Sequence, residues 1–262
     1  MTITSVAWKN ALEKLLLVFA RMSMFIATAP FFSMQGVPAR FKIGYSFFLS
    51  VLLFQVLPLP AVVYETVIDY GVIVVKEAAV GAIIGFSADI CSAIVTFAGQ
   101  VIDMEIGLSM ANMFDPTMNE SVSLTGAMYR YFVLLLLMIT GMHHYIIRAI
   151  ADSYQLIPLN GAVFNFGYLY QGVLQFLGDY FIIGFRICLP VFMCSLLLNI
   201  VLGILAKSAP QMNMFAVGMQ LKVLLGLIVL FLIATLLPDI ANFISGEIKK
   251  MIVFVIEGIR SV

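Results

Sequence analysis

The chain has 262 residues, 63% of them hydrophobic and 11% charged, with a mean hydropathy of +1.09. Soluble domains carry about 25% charged residues, so this composition excludes an ordinary soluble domain and marks a membrane protein. Fourteen basic residues balance fourteen acidic ones, which leaves no excess to neutralise phosphates and argues against nucleic-acid binding.

The length is read as one membrane domain spanning residues 1–262, all-α, with about six long apolar helices. The first helix is expected over Val6 to Ala29. Ala27-Thr28-Ala29 has the small-residue look of a signal-peptidase site, but Lys9, Glu13, Lys14 and Arg21 break the apolar centre that a signal peptide needs. Pro30, Gly36 and Pro38 make the next turn, and a second helix runs from Arg40 to Leu57, stopped by Pro58 and Pro60. A third starts near Glu65 and continues to Asp103, too long for one simple span. The fourth covers Leu124 to Ile150, with Ser121 or Ser123 as its N-cap. After a turn at Pro158, Asn160 and Gly161 come a fifth helix, Tyr168 to Leu205, and a sixth, Val217 to Leu237, which Pro238 ends.

Beyond Pro238, Ile240, Phe243, Ile244, Ile248, Met251, Ile252, Val255 and Ile259 recur every three or four residues among charged ones. That is an amphipathic helix over 238–262, able to lie on a membrane surface or to dock on a partner protein.

The charges fall oddly for a lipid-facing bundle. Among the expected helices, only the fifth, through Ile187 to Ala206, supplies the ~20 charge-free residues of a bilayer span. Elsewhere Arg21, Lys76, Glu77, Asp89, Arg186 and Lys222 interrupt apolar runs. Charges in lipid are costly unless paired or wet, so these are read as contacts to other chains or to an aqueous lumen. Their scatter through the helices leaves orientation unassigned by the positive-inside rule.

The most informative stretch is Gly99-Gln-Val-Ile-Asp-Met-Glu-Ile-Gly-Leu-Ser-Met-Ala-Asn-Met-Phe-Asp-Pro116. Non-helical backbone at membrane depth survives only inside protein or beside a water-filled cavity. Asp103 and Glu105, two apart on a helix, face away from each other and make a poor catalytic pair. His143 and His144 are adjacent, point about 100° apart on a helix and read as a polar helix end rather than a metal site. Cys91, Cys188 and Cys194 sit in apolar runs as buried hydrophobes. No base stands beside a serine or cysteine in sequence, and nothing marks a metal or cofactor, so enzymatic chemistry is not expected. Asp115-Pro116 is a turn. On chemistry alone, residues 107–119 are equally a solvent-exposed connector or a buried hairpin, since Leu108, Met110, Met113 and Phe114 are large, apolar and suited to an adaptable seal.

Longer motifs resemble a known family. Arg21…Pro30-Phe31-Phe32…Val37-Pro38…Lys42, then Ala98-Gly99-Gln100…Asp103…Gly107-Leu108-Ser109-Met110-Ala111…Asp115-Pro116, then Gly141…His143, resemble the FliR family of flagellar biosynthetic proteins. Gly203 through Lys207-Ser-Ala-Pro210-Gln211-Met212-Asn213 to Gly218, continued by Lys222-Val-Leu-Leu-Gly226, is similar to that family's second signature. The resemblance covers essentially the whole chain. It implies a subunit of the type III export gate in the bacterial inner membrane at the base of the flagellum, either multi-pass or embedded on the periplasmic side with much of the gate away from the bilayer plane. There it would assemble with FliP, FliQ and FlhB and receive unfolded export substrates from FlhA. It further implies a FliP-like part over about 1–165 and a FliQ-like helical hairpin over about 166–237, with Pro210, Gln211, Met212 and Asn213 at the tip. The loop after Gly107, Leu108 and Ser109 would project into the pore, returning at Asp115 and Pro116, with Met110, Met113 and Phe114 as the plug. Relatives can carry Phe at positions 110 and 113, so methionines here imply a softer closure. Lys207 stands where relatives can carry Arg. Arg21, Lys76, Arg186 and Lys222 would meet partner chains. A virulence-injectisome homologue of the same gate is the nearest alternative, and a self-contained solute transporter the alternative from another class.

Overall fold

The computed structural model describes residues 2–34, 36–58, 60, 62–110, 123–209, 211 and 213–260. Among these residues the protein is helical, with one isolated bridge, Ala162 to Arg260, and no strand. The helices are α1 (Thr2–Thr28), α2 (Ala39–Val56), α3 (Val67–Ile106), α4 (Leu124–Ile139), α5 (Met142–Leu156), α6 (Phe166–Ser208), α7 (Met214–Ile233) and α8 (Leu237–Ile259). Short 3-10 turns follow α3 at Leu108–Met110 and α7 at Ala234–Leu236. Ala39–Val56, Val67–Ile106, Phe166–Ser208 and Ala216–Ile259 are long and apolar enough to cross a membrane, and α4 with α5 makes a fifth candidate if taken as one span.

Local chemistry explains most boundaries. Thr66 and Asp69 form a reciprocal cap at the start of α3: Asp69 Oδ2 accepts from the Thr66 amide and hydroxyl, and the Asp69 amide donates to Thr66 Oγ1. Ser123, one of two caps expected, caps α4 by accepting from the Gly126 amide at 2.9 Å. Ser121 lies outside the described residues.

Two boundaries correct the sequence reading. The single helix expected over 124–150 is two, α4 and α5, because Gly141 adopts φ +75°, a left-handed conformation that ends one helix and starts the next. Pro238, expected to end the sixth helix, instead lies in the first turn of α8. A first-turn residue has no intrahelical acceptor for its N–H, so proline is tolerated there.

The chain forms two compact units: Met1–Cys91, Gly141–Leu174 and Ser245–Val262 in one; Ser92–Thr140 and Gln175–Ile244 in the other. In the first, α1 packs on α2, with Phe19 meeting Phe47 edge-on at 6.1 Å. α1 also packs on α3 through glycines. A Cβ on Gly81 would lie 2.0 Å from the Arg21 carbonyl oxygen, and one on Gly85 would lie 2.1 Å from Thr28 Oγ1. Glycines spaced four apart let two backbones touch.

That approach brings Arg21 beside Glu77, one turn before Gly81. Both side chains are fully buried. Arg21 Nε and Nη2 each reach Glu77 Oε2 at 2.6 Å. The remaining valences are filled: Nη1 donates to Ser153 Oγ, Nη2 to the Ile157 carbonyl, and the guanidinium lies 4.2 Å over the Tyr154 ring. Glu77 Oε1 accepts from the Asn160 amide at 3.0 Å. Arg21, expected to contact a partner chain, is thus satisfied within its own unit. The charged pair ties α1, α3, α5 and the 157–160 turn together.

α8 also departs from expectation. Its apolar residues Ile248, Ile252, Val255 and Ile259 are buried within the protein rather than left for a bilayer surface or a partner. Its C-terminal end is held by backbone bonds from Val163 to Ile259 and from Asn165 to Gly258, and by Phe254 stacked on Tyr168 at 4.6 Å.

Removing one member of a fully buried pair strands the other. Arg21→Met or Glu77→Leu alone should therefore lower unfolding stability by about 3–5 kcal/mol, while the double replacement recovers most of the loss. Thermal melting of the detergent-purified protein checks this; equal losses in the single and double variants would contradict it.

Candidate functional site

The C-terminal turn of α3 joins three helices of the second unit. Successive helical residues project about 100° apart, and residues 103, 105 and 106 accordingly reach three different helices. Asp103, almost fully buried, accepts from the Ser123 hydroxyl at 2.7 Å and from the Thr125 amide at 3.1 Å, both on Oδ2. It thereby sits at the N-terminus of α4, where the free amides and helix dipole favour a carboxylate. Glu105 Oε2 accepts from Ser195 of α6 at 3.0 Å. Ile106 packs on Gly226 of α7, where a Cβ would meet it at 2.5 Å. Asp103 and Glu105, expected to face away from each other, thus bond different helices.

α3 ends at Gly107, whose φ of +89° lets the chain turn back. Its amide donates to the Asp103 carbonyl, and the Met110 amide donates to the Gly107 carbonyl across the 3-10 turn. Leu108, Ser109 and Met110 are half-buried. The chain reappears at Ser123 against Asp103. One carboxylate thus ties the start of α4 to the end of α3. Close backbone approach reinforces the clasp: a Cβ on Gly99 would lie 2.2 Å from Gly126 Cα. Met113, Phe114, Asp115 and Pro116 lie outside the described residues.

At the α6–α7 turn, Asn213 caps α7, its Oδ1 accepting from the Ala216 amide at 3.4 Å, and Gln211 is exposed. Pro210 and Met212 lie outside the described residues. Lys76 is half-buried in a groove with Ile68, Val72, Val75 and Phe164. Arg186 is exposed on α6, and Lys222 lines a small cavity with Glu105 and Ser195. None of these three cations forms an ion pair among the described residues. His143 and His144, expected to diverge, lie with ring centroids 3.9 Å apart, since side-chain torsions can bring neighbouring rings together. Among the described residues no cluster of three or more potential metal ligands includes them.

Two features escaped sequence reasoning: Ser123 and Thr125 as partners of Asp103, and Ser195 as partner of Glu105. They are separated by 20, 22 and 90 residues, beyond any local pattern. Asp103 accepts hydrogen bonds from the α4 terminus, so the arrangement positions backbone.

These features define a membrane protein, helical throughout its described residues, in which a buried carboxylate ties the end of α3 to the start of α4. The family model for bacterial export proteins, family 1, matches residues 12–248. Flagellar biosynthetic protein FliR of Bacillus subtilis (strain 168) is 35% identical over 240 residues, 90% of this chain and 92% of that protein. The FliR proteins of Aquifex aeolicus (strain VF5) and Escherichia coli (strain K12) are 29% and 28% identical over 248 and 247 residues, covering 94% and 93% of this chain and 95% and 91% of theirs. The chain belongs to the FliR family of bacterial export proteins, a family of flagellar export-apparatus components and not a known enzyme class.

The clasp yields a prediction. Asp103→Ala should leave the α4 terminus short of its acceptor at a cost of about 1–3 kcal/mol, and amide exchange at Thr125 should accelerate. Exchange at Thr125 unchanged from wild type would contradict it.

Proposed function

We propose that this chain is a channel subunit of the flagellar type III export gate, passing unfolded flagellar substrates across the bacterial inner membrane. Residues 107–116 close the pore at rest, with Met110, Met113 and Phe114 as the contacting side chains. Gly107, Leu108 and Ser109 set the loop's departure, and Asp115-Pro116 its return. The observation that carries this reading is the Asp103 clasp. A segment rich in methionine and phenylalanine is anchored at its stem to α4, while the same turn of α3 grips α6 and α7. Anchored ends with an unbranched, polarizable middle suit a deformable seal around varied chains.

The gate holds FliP, FliQ and FlhB as neighbours, and FlhA delivers substrates. Residues 1–165 act as the FliP-like part and 166–237 as the FliQ-like hairpin, whose tip is 210–213. Lys76, Arg186 and Lys222, without ion-pair partners among the described residues, are the cations available to neighbouring chains or to headgroups. The chain carries no phosphate-binding loop of the Gly-x-x-x-x-Gly-Lys-Ser/Thr kind, so energy enters through partners and the proton-motive force. The flagellar names of the relatives support flagellar rather than virulence substrates.

Deleting residues 110–114 should leave co-purification with FliP and FliQ intact and make cells expressing the closed complex leak ions. A deletion complex as tight as wild type sinks the plug assignment. Failure of the intact chain to co-purify with FliP and FliQ sinks the gate assignment.

A further inference from the structure

Within the second unit, α6 and α7 form an antiparallel hairpin whose charge spacing marks two levels. Residues 187–206 of α6 carry no charge and are bounded by Arg186 and Lys207. Residues 223–238, through α7, the 3-10 turn and the first two residues of α8, carry none and are bounded by Lys222 and Asp239. At 1.5 Å per residue these runs span about 30 and about 24 Å, close to the hydrocarbon thickness of a bilayer. Lys207 and Lys222 mark one end, and Arg186 and Asp239 the other, where headgroups would lie.

A groove of about 290 Å³ opens at that second end. Its walls are apolar, including Ile187, Pro190, Ile233 and Phe243, and Arg186 and Asp239 supply its polar chemistry. Arg186 and Asp239 are both exposed, and neither joins an ion pair among the described residues. The groove therefore presents a cationic donor fork and a carboxylate acceptor above an apolar trough. Its size falls at the lower end of small-ligand sites.

We propose that this groove binds a phospholipid with a zwitterionic, amine-bearing headgroup of the phosphatidylethanolamine kind. The phosphate pairs with the Arg186 guanidinium, for which a planar fork is suited. The ammonium is taken by the Asp239 carboxylate, and an acyl chain follows the apolar wall. A purely anionic headgroup leaves Asp239 unmatched and repelled, and a partner helix without both charges leaves two charges uncompensated. The inference is independent of the pore assignment.

The test uses the full-length protein purified from membranes, titrated with phosphatidylethanolamine or phosphatidylglycerol and read by native mass spectrometry. Wild type should retain phosphatidylethanolamine preferentially. Arg186→Gln should weaken retention of both lipids about tenfold, and Asp239→Asn should weaken only phosphatidylethanolamine by about tenfold, the loss expected for one charged hydrogen bond. Retention of phosphatidylethanolamine unchanged in both variants overturns the proposal. A photo-crosslinking residue at Phe243 in native membranes gives a second reading that needs neither charge variant: a lipid-mass adduct supports the site, and an adduct carrying a protein chain overturns it.

Discussion

A charge carried on an apolar helix must be met inside the protein, and this fold is organised around meeting two of them. Arg21 and Glu77 are completely buried and saturated by each other, by Ser153, by the Ile157 carbonyl, by the Asn160 amide and by the face of Tyr154. The pair contributes less net stability than its distances imply, because desolvation offsets much of the attraction. Its consequence is uniqueness: slide α1 by one residue against α3 and the charge is stranded. Asp103 plays the same part in the second unit, where α4 can begin only where its amides find that carboxylate.

Both contacts depend on the absence of side chains nearby. Gly81 and Gly85 let α1 and α3 touch so that Arg21 reaches Glu77, and Gly99 lets α3 approach Gly126 so that Asp103 reaches the start of α4. Where burial of apolar surface discriminates weakly between arrangements, close glycine contacts and saturated polar groups set the register. α3 carries both devices, its earlier part belonging to the first unit and its last turns to the second.

The all-helical membrane class was legible in composition and hydropathy, and most helix positions followed from proline, glycine and capping residues. The errors have physical causes. Gly141 sits between two apolar runs that read as one, because hydropathy does not register a left-handed φ. Pro238 has the same letter as a terminator and as a first-turn residue; only the direction of the chain beyond it distinguishes them. Arg21 looked like a charge awaiting a partner chain because its counterion is 56 residues away. The amphipathic face of α8 was visible, but what covers it was not, since periodicity reports that a face is apolar and not what lies against it. Likewise Asp103 and Glu105 were legible as helix residues with diverging side chains, whereas Ser123 and Ser195 belong to distant sequence.

Membership of the FliR family assigns the chain to the flagellar export apparatus, and the clasp at Asp103 locates the feature on which the proposed gating rests. In the proposed gating, Asp103 holds the start of α4 through Ser123 and Thr125, and Met110 follows directly from the end of α3. The most direct measurement is to place a photo-crosslinking residue at Met110 in the assembled apparatus of living cells and to compare resting cells with cells carrying a flagellar substrate stalled in transit. The account predicts crosslinks to the stalled substrate that are absent at rest. Crosslinks confined to lipid, identical in both conditions, would contradict it.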